Sequence, residues 1–295
     1  MTHRAAVLGS PIAHSLSPAL HRAAYRELGL RDWSYDAVDV TEAQLPAFLA
    51  SLGPDWAGLS LTMPLKRAVL ALVDHVDDLA EAIGGANTVL FGAAESVALT
   101  TDVRGMVAAI TQASGCRTFE SATILGGGAT ATAALAAVAE LGVAAPRVFV
   151  RSVARASGLV AAAARMGLRP QLRRLRGDDA LVDWPDNLVV ATLPPRAADA
   201  MAQAFAQANG RSGAVRPAGG SSGGVEGGVR GRLLLDVAYD PWPSRLATAW
   251  AAAGGAVASG LTMLLHQAAE QVRLMTGQPA PLAAMRAVLP GGTAQ

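Results

Sequence analysis

The sequence has a single cysteine, Cys116, in 295 residues, so no disulfide can close within the chain. That fits a reducing cytosol and a cytoplasmic protein. Aromatic residues make up only 4% of the chain, so the interior must be built mainly from Ala, Val and Leu. No excess of charge of either sign is present: 24 Lys and Arg stand against 23 Asp and Glu, a formal net charge of +1. Such a balance gives no electrostatic footprint for nucleic acid or an anionic membrane surface. Hydrophobic runs are cut by Gly, Pro or charge well before the ~18 residues a membrane span needs. The opening MTHRAAVLG turns polar too quickly for a signal peptide. The five histidines are scattered without ligand spacing, so no metal site is expected, and His14 and His21 read as structural.

What is present is apolar material and glycine. Hydrophobic residues are 52% of the chain, and 31 glycines punctuate them. The length allows one large domain or two ordinary ones. Strands are expected at Ala5–Leu8, Tyr35–Asp39, Gly58–Thr62, Asn87–Phe91 and Val97–Thr100. Helices are expected from Ser17-Pro18 to Leu28, over Thr41–Leu52, and in pieces at Lys66–Val73 and Asp77–Ile83. Ser17 is placed as an N-cap with Pro18 at the first helical position. This alternation predicts α/β architecture with a largely parallel sheet.

The pattern restarts after Asp102. Helices are expected at Val107–Ser114, Ala129–Leu141 and Leu159–Met166, and strands at Ser121–Leu125, Arg147–Val150, Asn187–Ala191 and Leu233–Val237. That is the βαβ grammar of a nucleotide-binding domain. The cluster Arg173, Arg174 and Arg176 reads as a solvated helix or loop face. Residues 209–231 are crowded with Gly, Ser and single charges and predict a flexible surface loop. A long amphipathic helix follows over Thr262–Met275, and a short one near Pro281–Leu289.

Two sites carry chemistry. Gly126-Gly127-Gly128-Ala129-Thr130-Ala131 follows a strand and opens a helix, fitting G-x-G-x-x-A. Gly126 allows the tight turn, Gly128 lets a pyrophosphate approach the backbone, and Ala131 keeps the helix close to the sheet. The alternative is an ordinary glycine turn. At the end of the next strand, where NAD binders usually carry an acidic residue, stand Arg151 and Ser152, followed by Arg155. A guanidinium suits a 2′-phosphate in charge and in its fork of donors, so NADP(H) is preferred over NAD. Either arginine, Arg155 especially, could instead be a solvated surface residue. In the first half, Ser15-Leu16-Ser17, the run from Ser60 to Lys66, Gly85-Ala86-Asn87-Thr88 and Thr100-Thr101-Asp102 set polar groups at strand and helix ends in apolar surroundings.

Together and in this order, these segments resemble the shikimate dehydrogenase family. The resemblance runs from Gly9-Ser10-Pro11-Ile12-Ala13-His14-Ser15-Leu16-Ser17-Pro18 to Gly260-Leu261-Thr262-Met263-Leu264-Leu265-His266-Gln267-Ala268. It implies two α/β domains separated by a cleft: a substrate domain from residues 1–105 and 258–295, and an NADP-binding Rossmann domain at 106–257. It implies that Ser15 and Ser17 hold the substrate carboxylate and that Thr62, Lys66, Asn87 and Asp102 meet the ring hydroxyls, with Tyr239 and Gln267 closing the site. Lys66 and Asp102 match the catalytic pair, Lys66 moving the proton and Asp102 orienting it and the hydroxyl. Cofactor contacts are implied at the glycine turn, Arg151, Ser152, Arg155, Thr192, Gly260 and Met263. The implied activity is an oxidoreductase of aromatic amino-acid biosynthesis, interconverting shikimate and 3-dehydroshikimate with NADP(H), as a monomer or homodimer.

Three positions depart from the family pattern: Ser60 and Thr100 stand where Asn is common, and Ser259 where Asp is common. The first two are expected to weaken or alter hydrogen bonds near the substrate. A quinate/shikimate or shikimate-like dehydrogenase of relaxed specificity is therefore the nearest alternative. A non-catalytic nucleotide sensor is the alternative from another class, and the retained Lys66 and Asp102 speak against it.

Overall fold

A computed structural model of the chain describes residues 2–92, 95–176, 186–212 and 231–291. The chain divides into two compact units, residues 1–106 with 261–295, and residues 107–260.

The first unit contains β1 (His3–Gly9), α1 (Ser17–Glu27), β2 (Trp33–Asp39), α2 (Leu45–Ala50), β3 (Trp56–Leu61), α3 (Leu65–Ala68), β4 (His75–Val76), α4 (Asp78–Ile83), β5 (Thr88–Phe91) and β6 (Ser96–Leu99). Helix α5 (Asp102–Ser114) then carries the chain into the second unit. That unit contains β7 (Ala122–Leu125), α6 (Ala129–Glu140), β8 (Arg147–Val150), α7 (Ser157–Arg165), β9 (Gln171–Arg174), β10 (Leu188–Ala191), α8 (Asp199–Ser212), β11 (Leu233–Asp236), α9 (Arg245–Ala252) and β12 (Ala256–Ser259). Helices α10 (Gly260–Thr276) and α11 (Leu282–Ala287) complete the first unit.

The six strands of the first sheet lie in the order β2-β1-β3-β5-β6-β4. The β1, β2 and β3 pairings are parallel, while β5 pairs antiparallel with both β3 and β6. The β4 and β6 pairing is parallel too, so β5 alone runs against the other five strands and the sheet is largely parallel, as expected. Only four residues separate β5 from β6, too few for a parallel crossover, so these two strands run in opposite directions. One face buries Leu8, Leu59, Leu61 and Val89 against Leu45, Leu65 and Val69. Each such side chain contributes roughly 1.5–3 kcal/mol on burial.

The second sheet is wholly parallel, in the order β12-β11-β10-β7-β8-β9. Numbered within the unit this is 3-2-1-4-5-6, the doubly wound order whose crossover lies beside its first strand. Its central strands β7, β10 and β11 are buried throughout, as covered parallel strands must be. Helix α6 is buried at every position from Ala131 to Val138, which small Ala side chains permit by letting it lie close on the sheet.

Several expectations are corrected. Ser17 is not an N-cap: it is the first residue of α1, Leu16 takes the cap position, and no side chain caps this end. Arg173 and Arg174 lie on β9, an edge strand, where charged side chains suit an unpaired rim. Helix α2 starts at Leu45, not Thr41, because Thr41 instead turns onto the Gln44 side chain. The expected loop at 209–231 begins too early, since α8 runs to Ser212, and most of that segment lies outside the described residues. Among the described residues no helix is long and apolar enough to cross a membrane.

Candidate active site

In the first unit, strand ends and helix starts deliver a polar cluster into apolar surroundings. Lys66 projects from α3, directly after β3, and Asp102 opens α5. Their side chains meet at 2.5 Å, Nζ to Oδ2, with 17% and 9% of their side-chain surfaces exposed. The start of a helix favours the Asp102 carboxylate electrostatically. Its second oxygen, Oδ1, accepts from Asn87 Nδ2 at 2.9 Å. The carboxylate is thereby held at both oxygens, and the ammonium is held in one place.

Asn87 stands at the centre of this cluster. Its Nδ2 also faces Thr101 Oγ1 at 3.0 Å and Gln267 Oε1 at 3.1 Å. Its Oδ1 accepts from the Thr101 backbone N–H at 2.8 Å and from the Thr88 hydroxyl at 2.8 Å. A backbone N–H can only donate, so the amide orientation is fixed. Gln267, from α10, is anchored in turn by donating Nε2 to Leu264 O at 3.1 Å. Gly105 makes this approach possible, because a Cβ there would stand 2.8 Å from Met263 O and 2.9 Å from Gln267 Cβ.

Ser15 and Ser17 lie together at the start of α1, the Ser17 N–H donating to Ser15 Oγ at 3.3 Å. The helix end carries no acidic residue in its first turn, so its field favours an anion. Thr62 follows β3, half-buried, its backbone N–H donating to Leu8 O at 2.9 Å. Thus Lys66, Asn87, Asp102 and Gln267 form one hydrogen-bonded group, the two serines form another, and Met263 is buried on α10.

The Ser60 hydroxyl is used both as acceptor and as donor, and the Thr100 oxygen as an acceptor. Ser60 accepts from Tyr35 OH at 2.6 Å and donates to Gln271 Oε1 at 2.8 Å, and Thr100 Oγ1 accepts from the Asp102 N–H at 3.4 Å. Behind Ser60 lies a buried layer: Tyr35 and Gln271, which sequence reasoning missed, join Thr88 and Thr101, whose segments it named without giving these two a role, and His21 sits among them. One signal was available: Gln267 and Gln271 are four residues apart, hence on one helical face. His21 stacks on Tyr35 with ring centroids 3.9 Å apart, and burial pushes its pKa down to about 3.

In the second unit, Gly126 turns the chain out of β7 at φ +124, a region closed to other residues. A Cβ there would stand 2.2 Å from Thr192 Oγ1, whose hydroxyl donates to Leu125 O at 2.8 Å. The structure therefore brings Thr192 onto the glycine turn. Gly127 lies beside Val150, and Gly128 is the N-cap of α6, open to solvent and without a side-chain cap. The first N–H groups of α6, from Ala129, Thr130 and Ala131, point out of a helix end that favours anions. Arg151 and Arg155 are exposed at the end of β8, with Ser152 half-buried between them. An uncapped glycine cradle with two arginines at the neighbouring strand end fits a phosphorylated dinucleotide. Tyr239 and Gly260 also belong to this unit, Tyr239 half-buried and Gly260 at the start of α10. Burial and the nearby Asp240 push the Tyr239 phenol up. Among the described residues, no three His, Cys, Asp or Glu converge on a metal-sized site.

Known proteins share this pattern. Residues 7–89 match the model of the shikimate dehydrogenase substrate binding domain, and residues 260–289 that of the shikimate 5'-dehydrogenase C-terminal domain. The chain is 32% identical over 293 residues to shikimate dehydrogenase (NADP(+)) of Halobacterium salinarum, covering 96% of this chain and 97% of the relative. The crystal structure of a shikimate 5-dehydrogenase from Mycobacterium fortuitum is 42% identical, with a TM-score of 0.80 and 98% coverage of each chain. That of the Thermus thermophilus enzyme, in complex with NADP(H) and shikimate, is 30% identical, with a TM-score of 0.75, covering 98% of this chain and 100% of the other. With relatives this similar over nearly its whole length, and with the residue pattern carried through the fold, the chain belongs to the shikimate dehydrogenase family.

Proposed function

We propose that the protein is an NADP-dependent dehydrogenase that interconverts shikimate and 3-dehydroshikimate. The observation that carries this reading is the Lys66–Asp102 pair, a charged couple at 2.5 Å held by Asn87. Buried charges are retained where they are paired and used.

The first unit supplies substrate binding and the second cofactor binding. The hydroxyls of Ser15 and Ser17 and the field of α1 suit the substrate carboxylate. Thr62, Asn87, Asp102 and Gln267 offer donors and acceptors for ring hydroxyls. When bound, NADP(H) supplies the acceptor or donor of the hydride. Its phosphates would be held by Gly126–Ala131 and Thr192, its 2′-phosphate by Arg151, Ser152 and Arg155, and its nicotinamide end by Gly260. Lys66 moves the proton of the reacting hydroxyl. In reduction it donates a proton to the developing alkoxide and stabilises its charge. In oxidation the same nitrogen, as the neutral amine, takes the hydroxyl proton and becomes the ammonium. Asp102 fixes Lys66 and the hydroxyl in line, an orientation effect rather than a proton transfer.

A single exposed cysteine suits a cytoplasmic enzyme, and membership of the family suits a monomer or homodimer. The relaxed-specificity alternative rests on Ser60 and Thr100, both of which are engaged within the fold. Initial rates with shikimate and quinate, each with NADP and NAD, test the proposal. Turnover confined to shikimate and NADP supports it, and equal or better turnover of quinate assigns the protein to the alternative.

A further inference from the structure

The buried layer behind Asn87 forms a chain of hydrogen bonds with one direction. Tyr35 OH donates to Ser60 Oγ, and Ser60 Oγ donates to Gln271 Oε1. Gln271 Nε2 donates to Thr88 Oγ1 at 2.8 Å, and Thr88 Oγ1 donates to Asn87 Oδ1 at 2.8 Å. Asn87 Nδ2 then donates to Asp102 Oδ1. Two backbone groups and one carboxylate set the direction. Gln271 Nε2 faces the Asn87 carbonyl at 3.2 Å, which can only accept. Asn87 Oδ1 faces the Thr101 N–H, which can only donate. Asp102 Oδ1, an ionised oxygen paired with Lys66, can only accept. Each hydroxyl between them has a single proton, so the rest follows.

Gln271 is the hub. Its side chain is 1% exposed, and both halves of its amide are fully used. Oε1 accepts from Ser60 and from His21 Nε2 at 3.4 Å, and Nε2 donates to Thr88 and to the Asn87 carbonyl. The relay joins β2, β3, β5 and α10, elements that no local sequence contact brings together. Hydrogen bonds in a chain polarise one another, and in a buried setting they also fix geometry. We propose that Gln271 and Thr88 are positioning residues for the acid–base pair. Together with the Thr101 N–H, they hold the Asn87 amide in the one orientation that donates to Asp102, and so set Lys66 against the substrate hydroxyl. This rests on the reading of Lys66 and Asp102 as the acid–base pair.

Steady-state kinetics with shikimate and NADP on Gln271→Met, Thr88→Val and Thr88→Ser test the inference, with thermal unfolding on each protein. Gln271→Met keeps the volume and removes both halves of the amide. Thr88→Val is isosteric and removes the hydroxyl, while Thr88→Ser restores it. Gln271→Met and Thr88→Val are expected to lower kcat about tenfold, equal to about 1.4 kcal/mol of barrier, with KM changing less than roughly threefold. Thr88→Ser is expected to recover most of the rate. Wild-type kcat in the valine variant below its melting temperature overturns the inference, as does a loss confined to KM. If the methionine variant does not fold, the Val/Ser pair decides alone. Lys66→Ala, assayed alongside, separates the two claims: if it keeps its rate the acid–base reading itself fails, whereas its inactivity with an unimpaired valine variant removes only the relay.

Discussion

Burial of His21 makes folding stability depend on pH in a defined window. The ring is fully enclosed, stacked on Tyr35 and bonded through Nε2 to Gln271 and through Nδ1 to Tyr25 OH at 3.5 Å. With Gln271 Oε1 as acceptor, the ring is the neutral tautomer carrying its proton on Nε2. Desolvation lowers its pKa from 6.5 to about 3, outweighing the Gln271 hydrogen bond. The groups facing it, Tyr25 and Tyr35, are phenols that burial pushes further up, so neither carries charge in this range. The folded pKa is depressed, so the stabilisation is complete above about pH 6.5 and is lost as pH falls toward 3. Within that window the unfolded chain binds one proton that the folded chain refuses. Stability therefore falls by up to about 1.4 kcal/mol per pH unit, or about 2–3 kcal/mol by pH 4.5. A typical domain has only about 5–15 kcal/mol in all. Carboxylates also titrate in this range, so the assay is a difference: urea unfolding of the wild type and of His21→Phe from pH 7.5 to 4.5. The phenyl ring keeps the stacking and loses the hydrogen bonds, costing about 1–3 kcal/mol near neutral pH. The deficit should shrink as pH falls and reverse near the acid end. Curves that stay parallel would refute the argument.

Three further outcomes follow from close approaches and charge. Gly126→Ala forces a Cβ to 2.2 Å from Thr192 Oγ1 at φ +124, so NADP(H) affinity by calorimetry should fall at least about tenfold, with about 1–3 kcal/mol of stability lost. Gly105→Ala places a methyl 2.8 Å from Met263 O, prising Gln267 from Asn87; kcat should drop several-fold, whereas an unchanged rate would mean the helices yield freely. Replacing Arg151 and Arg155 by Ser should raise KM for NADP by about 10- to 100-fold and leave NAD nearly untouched, the size of one or two charge-assisted contacts.

The legible parts of the sequence were those whose signal is local. Gly126-Gly127-Gly128 named its own turn, and short runs such as Ala122–Leu125 and Leu233–Leu235, set between turn signals, read as buried strands. Lys66, Asn87 and Asp102 could be singled out, but not their hydrogen bonds, because three separate segments supply them. The missed elements were weak by the same measure. Strand β9, Gln-Leu-Arg-Arg, has edge-strand composition, and β4 is only two residues long. Helices α8 and α9 did carry a readable pattern, with Met201, Ala202 and Phe205 on one and Leu246, Ala247 and Trp250 on the other, and Ser244 capping the second. Phe205 and Trp250 stack at 5.4 Å, a pairing that helical periodicity points toward but cannot specify. For the relay through Gln271 the one signal was its four-residue spacing from Gln267, because a glutamine inside a helix otherwise looks solvated until the fold buries it.

The most direct test of the account is the rate of NADPH formation from shikimate by Lys66→Ala beside the wild type, each confirmed folded. The account predicts a loss in kcat of about 10²–10⁴, the contribution of a positioned acid–base group. A variant that keeps its rate would contradict the assignment of the Lys66–Asp102 pair as the centre of the chemistry.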